Sequence, residues 1–203
     1  MIYKRLFTKI KILSDMAFDI GNFVESQGVL NFVERMDLGC GAIPPGEYEQ
    51  IIDQSAPEVF LQLYLHIAER RFAFAVTEAV KLHPGFLEPI KKYCYDCGKS
   101  FKPAKVATVQ SAYDLINAFV LDGMPEDETR KLTVVEPNKI IWEKVKDTHK
   151  EFWEKAGGDI ELFYELQTLF IQGLLEGSGI EFVNDGNSVF SLIISISNFH
   201  DCR

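Results

Sequence analysis

The chain has 203 residues, 47% of them hydrophobic and 12% aromatic, and a net charge of −9. This suits one domain with a sizeable core, and an average charged fraction of 25% without a low-complexity tract excludes a disordered chain. The acidic balance excludes nucleic acid as a partner, because neutralising phosphates takes a concentrated basic face.

Lys4, Arg5, Lys9 and Lys11 open the chain without an intervening acid. They read as the solvated face of a short helix rather than a membrane-surface anchor. Lys9 and Lys11 also interrupt any apolar core of a signal peptide. No apolar run reaches the ~18 residues a membrane span needs, so no stable membrane insertion is expected. Four cysteines are too sparse for a disulfide scaffold, and the chain reads as cytoplasmic with reduced thiols.

Met16, Ile20, Phe23 and Val24 then repeat at helical spacing, with Gly21 and Gly28 weakening the segment. LGCGAIPPGE, residues 38–47, reads as a loop because its glycines and prolines break regular structure. Ser55 as cap, Pro57 in the first turn and Glu58 completing a capping box mark a strong helix start. Val59, Phe60, Leu63, Tyr64, Ile67, Phe74 and Val80 carry that helix to His83-Pro84-Gly85, which stops it. A short segment over 86–93, a loop bearing Cys94 and Cys97, and a helix over about 104–121 follow. Asp122-Gly123-Met124-Pro125 ends that helix, and the acids at 126–128 read as a solvated loop.

The last third changes pattern. KLTVVE, residues 131–136, reads as a strand. Pro137 opens a helix with Ile141, Val145, Phe152 and Trp153, closed by Gly157-Gly158. Asp159 caps a second helix whose polar residues Glu161, Glu165, Thr168, Gln172 and Glu176 form one narrow stripe. Its other faces must be buried. Gly177 and Gly179 stop it. Residues 180–196 read as a β-hairpin around Asp185-Gly186, since Gly186 supplies the positive φ of the turn. The expected fold is α+β, mainly helical, with a small antiparallel sheet that includes this C-terminal β-hairpin in contact with the strand at 131–136. It forms a single domain over 1–203, helical over about 1–125 and α/β over about 130–200.

The one chemically suggestive stretch is YCYDCGKSFK, residues 93–102. A Cys2His2 finger needs histidines about twelve residues after Cys97, where Gln110 and then Asp114, Leu115 and Ile116 stand. No second Cys pair forms a zinc ribbon. A redox Cys-x-x-Cys has its first thiolate at a helix start, whereas Gly98 and Pro103 follow here. Gly98-Lys99-Ser100 lacks the preceding glycine of a phosphate loop, since Tyr93 occupies that place. His66 and Glu69, three apart, read as a local contact on one helix face. His149 lies seven after Trp142 and four before Trp153, and reads as a histidine packed between aromatics or stacking on a ligand. Ser178 lacks the setting of a nucleophile elbow. No catalytic residue, metal ligand set or cofactor is assigned.

Residues 131–196, with strand, helix, an apolar helix containing Gly173 (FIQGLLEGSG) and then IEFVNDGNSVFSLII, resemble the C-terminal half of the 4-vinyl-reductase-like domains and the related TRAPP-type subunits. The resemblance implies an α/β fold whose helices enclose an apolar pocket for small hydrophobic ligands or protein contacts. The stretch matching the cysteine-bearing hairpin of such domains has none, Cys202 being nearest, so cysteine-centred chemistry is not carried over.

The expected function is non-catalytic binding or sensing of a small apolar molecule by Trp142, His149, Trp153, Phe163 and Phe170. The alternative is a homodimeric interaction domain that buries surplus apolar surface. A third is a metal- or thiol-dependent enzyme built on Cys94 and Cys97.

Overall fold

The computed structural model describes residues 2–186 and 188–194. It is α+β and mainly helical, with one four-stranded antiparallel sheet. Two compact units interleave along the chain. The first takes residues 2–90, Leu121–Met124 and His149–Phe163. The second takes Lys91–Val120, Pro125–Thr148 and the described residues from Tyr164 onward.

In the first unit, α1 (Ile2–Ser26) lies along α4 (Pro57–Leu82), and α2 (Phe32–Cys40) packs on both. One helix, not two, spans the N-terminal segment. Leu6, Phe7, Ile10, Leu13, Ala17, Ile20 and Val24 recur every three or four residues and are all buried, so one stripe runs its whole length. Residues 38–40, expected in a loop, complete α2, which ends at Gly41. A short α3 (Tyr48–Ile51) follows. Pro57 starts α4 as expected, but the capping box is absent. Ala56 precedes the helix without a side-chain cap, and the Ser55 hydroxyl donates to Asp53 instead, at 2.7 Å. Helix α4 buries Leu61, Leu65, Ala68, Phe72, Ala75, Val76 and Ala79, with neighbours on several sides. Val59 and Leu63, on the helical repeat that marked α4, stay exposed.

The second unit contains most of α5 (Leu87–Ser100), α6 (Val109–Phe119), the sheet, and α8 from Tyr164 onward (whole helix Ile160–Leu174). The cysteine segment is α5, not a loop. Its buried positions Ile90, Cys94 and Gly98 are each one helical turn apart, and Lys92 pairs with Asp96 across one turn on the exposed side. Thr108 caps α6 through a reciprocal box with Ser111, so the helix starts later than expected.

The sheet order is β1 (Arg130–Glu136), β2 (Lys139–Lys144), β4 (Val189–Ile194), β3 (Ile180–Asn184). The strand over 131–136 and the C-terminal hairpin stand as expected. The helix from Pro137 does not. Pro137-Asn138 is a two-residue hairpin turn, Glu136 pairs with Lys139, and the helix α7 starts only at Lys150 (Lys150–Ala156). Ile140 and Trp142 are buried at strand period, a pattern hidden inside an apolar run. Strand β2 consequently separates the hairpin from β1. Trp142 faces Phe190 across the ladder and Ile140 faces Leu192. Gly186 has φ +72, as the turn requires, while Ser188 also adopts a positive φ. The end of the expected hairpin, at 195–196, and Cys202 lie outside the described residues. Among the described residues no helix is long and apolar enough to cross a membrane.

Candidate functional site

Cys94 and Cys97 are the strongest chemical signal in the sequence. Cys94 is fully buried on α5 and burial pushes its thiol far above the ordinary range, so it is a protonated, inert group. A reactive Cys-x-x-Cys needs its first thiolate at a helix N-terminus, and Cys94 lies mid-helix. Among the described residues no three His, Cys, Asp or Glu side chains are placed to share a metal ion. The geometry gives thiol chemistry no support here.

In the second unit, Gly98 of α5 and Gly173 of α8 meet with no side chain between the helices. A Cβ on Gly98 would fall 1.9 Å from the Phe170 carbonyl oxygen, and one on Gly173 2.0 Å from that of Tyr95. The Gly98-Lys99-Ser100 echo of a phosphate loop is thus a helix-packing element. At the same end, Glu176 accepts from Lys99 at 2.9 Å, Lys102 at 3.2 Å and Tyr95 at 3.2 Å. These donors, Lys99 foremost, hold its carboxyl below the usual carboxylate range.

Beside this cluster an open hollow of about 350 Å3 is lined by Gln172, Leu175, Glu176, Ile180, Glu181 and Phe182, with Gly177 and Gly179. Leu175, Ile180 and Phe182 of this lining are buried, Gln172 and Glu181 are exposed, and Glu176 is half-buried. Phe182 belongs to an aromatic set on the sheet. Its ring lies 6.1 Å from Phe190 and 6.0 Å from Trp142, Trp142 stacks on Phe190 at 5.8 Å, and Tyr113 meets Trp142 edge-on at 5.2 Å.

The first unit holds a different arrangement. His149, the residue before α7, is fully buried. Its Nδ1 lies 2.9 Å from Oε1 of Glu69 on α4, and its Nε2 lies 3.5 Å from Oδ1 of Asp122. Glu69 is 1% exposed, and the Asp122 side chain 7%. Phe163 packs on the imidazole at 4.2 Å, and Trp153, Phe163 and Phe72 enclose one another at 5.7–6.3 Å. The second oxygen of Glu69, Oγ1 of Thr77 and Nε1 of Trp153 are buried here without a hydrogen-bond partner. Since the triad is closed off, it cannot act on a substrate in this state.

Of the five expected site residues, His149, Trp153 and Phe163 come together in the first unit. Trp142 joins the sheet aromatics of the second, and Phe170 there packs against Phe101 at 6.2 Å. Trp142 and His149 share no helical stripe, because Trp142 is on a strand. His149 is packed against an aromatic as expected. Glu69 turns to His149 rather than to His66, whose exposed ring rests on Phe152. Nothing in the sequence marks Asp122 and Glu69 as partners of His149. Asp122 looks like an ordinary turn residue, and Glu69 sits eighty positions before the histidine. The only legible signal for Glu69 is its place on the apolar side of α4, beside Leu65, Ala68 and Phe72. The chain matches no family model, no curated protein and no solved structure.

Proposed function

We propose that the chain is a non-catalytic binding or sensing domain for a small apolar molecule, received in the hollow of the second unit. The observation that carries this is an open concavity of about 350 Å3 lined by both apolar (Leu175, Ile180, Phe182) and polar (Gln172, Glu176, Glu181) residues, in which Phe182 joins the Trp142–Phe190 aromatic set. That is the size and chemistry of a site for a small ligand with one polar end. The resemblance of 131–196 to 4-vinyl-reductase-like domains points the same way. Titrating a medium-chain alcohol such as 1-decanol into the Trp153→Phe variant tests it, because Trp142 is then the sole indole. The emission of Trp142 should change saturably and the thermal midpoint should rise with occupancy. Adding Gln172→Phe, which fills the hollow from an exposed position without a second indole, should abolish both effects. Unchanged emission and midpoint up to the solubility limit would refute the reading.

A homodimer is the second reading. Val59 and Leu63, one turn apart on α4, are 67% and 49% exposed. A sedimentation coefficient that rises with protein concentration, and stops rising in Val59→Glu, would establish it. A concentration-independent monomer would remove it.

A further inference from the structure

The three residues of the buried triad stand on three stretches of the first unit that are far apart in the chain. Glu69 is on α4, Asp122 is in Leu121–Met124, and His149 opens His149–Phe163. The last two stretches are the places where the chain re-enters this unit after a passage through the other. The triad is therefore a polar contact shared by both returning stretches and α4, beside the Lys81 ammonium that donates to the Ala156 carbonyl at 3.1 Å.

Among the described residues, Glu69 and Asp122 are charged groups placed against the ring. Neighbouring titratable groups point elsewhere. On α4, His66 and Arg70 are exposed, and Arg71 turns to Asp37 and to the Gly41 carbonyl at 2.9 Å. On α7, Lys150, Glu151, Glu154 and Lys155 are exposed, as are Asp159 and Glu161 ahead of Phe163. An imidazolium presents N–H donors to both carboxylates. A neutral ring has one N–H and turns a lone pair toward the other carboxylate. In a buried setting that exchange converts an attraction into a repulsion and leaves two anions sharing no cation.

We propose that Glu69, His149 and Asp122 form a proton-operated latch. While His149 carries its second proton, residues 121–124 and 149–163 are held on α4, and loss of that proton releases them. The contribution to stability is present on the acid side of the ring's titration and disappears as pH rises through it.

The test is the thermal midpoint of the whole chain from pH about 6 to about 9, alongside the ring nitrogen shifts of His149 by NMR over the same range, which brackets ordinary histidine titration. The wild-type midpoint should fall by about 5 °C, in step with deprotonation of His149. Asp122→Asn should flatten this fall, because the amide of asparagine donates to the lone pair of a neutral ring. Parallel falls in the two proteins would overturn the latch. Should Asp122→Asn fail to fold, the wild-type spectra decide alone. Ring signals that move together with the midpoint support the latch, and ring signals that do not change across the range overturn it.

Discussion

The two units solve the burial of a long helix in opposite ways. In the first, α4 carries a carboxylate into the core, and the carboxylate is answered by an imidazole from eighty residues away. In the second, α5 and α8 discard side chains altogether at their crossing and let backbone meet backbone through Gly98 and Gly173. A charged contact holds its partners only in one protonation state and fails when one member is missing. A glycine crossing is indifferent to pH but tolerates no added atom. The first device can respond to its surroundings. The second can only hold or break.

Four substitutions probe that contrast. Glu69→Ala should have the largest effect, a loss of ~3–5 kcal/mol, because it removes one partner of a buried ionic contact and leaves the histidine with Asp122 alone. Chemical denaturation at two pH values measures it, and the loss should differ between them. A loss below ~1 kcal/mol would show that the contact is not ionic in the folded protein.

Gly173→Ala comes next, at about 3 kcal/mol, since the new Cβ meets the Tyr95 backbone 2.0 Å away and backbone cannot rotate aside. Gly98→Ala should match it from the other helix. Both losses should be the same at either pH. A pH-dependent loss, or a neutral substitution, would break the contrast between the units.

The smallest effect falls on the hairpin. Gly186 has φ +72 and open space around its Cα, so Gly186→Val is penalised by the backbone conformation alone, by ~1–2 kcal/mol. An unchanged melting midpoint would show that the turn relaxes into another type.

Much of the α+β architecture was legible in local chemistry. Helix α4 follows from its periodicity and from Pro57 and His83-Pro84-Gly85 at its ends, and α8 from its Asp159 start, apolar content and Gly177-Gly179 stop. The strand at 131–136 and the Gly186 turn follow from residue type. The errors share one cause. Gly98 beside two cysteines looks like a loop, and KIIWEK after a proline looks like a helix start, because each stretch takes its conformation from what it packs against. Strand β2 exists by pairing with β1 and β4, and Gly98 is helical where Phe170 needs room.

The candidate sites were less legible for the same reason. His149, Trp153 and Phe163 fall close together in sequence, and residue type alone suggested a packed aromatic setting. Glu69 and Asp122 bear no local mark of their pairing, and the hollow is formed where the end of α8 meets β3.

By itself the sequence determined which segments are amphipathic, where helices must stop, and that an acidic chain with this apolar content builds an α+β core. Those properties depend on neighbours within a few residues, through helical or strand periodicity and backbone preference. The tertiary structure alone decided that a glycine belongs in a helix, that β2 separates β1 from the hairpin, and that one histidine stands between two carboxylates. Each depends on contacts across tens of residues, whose energies exceed local propensity once water is excluded.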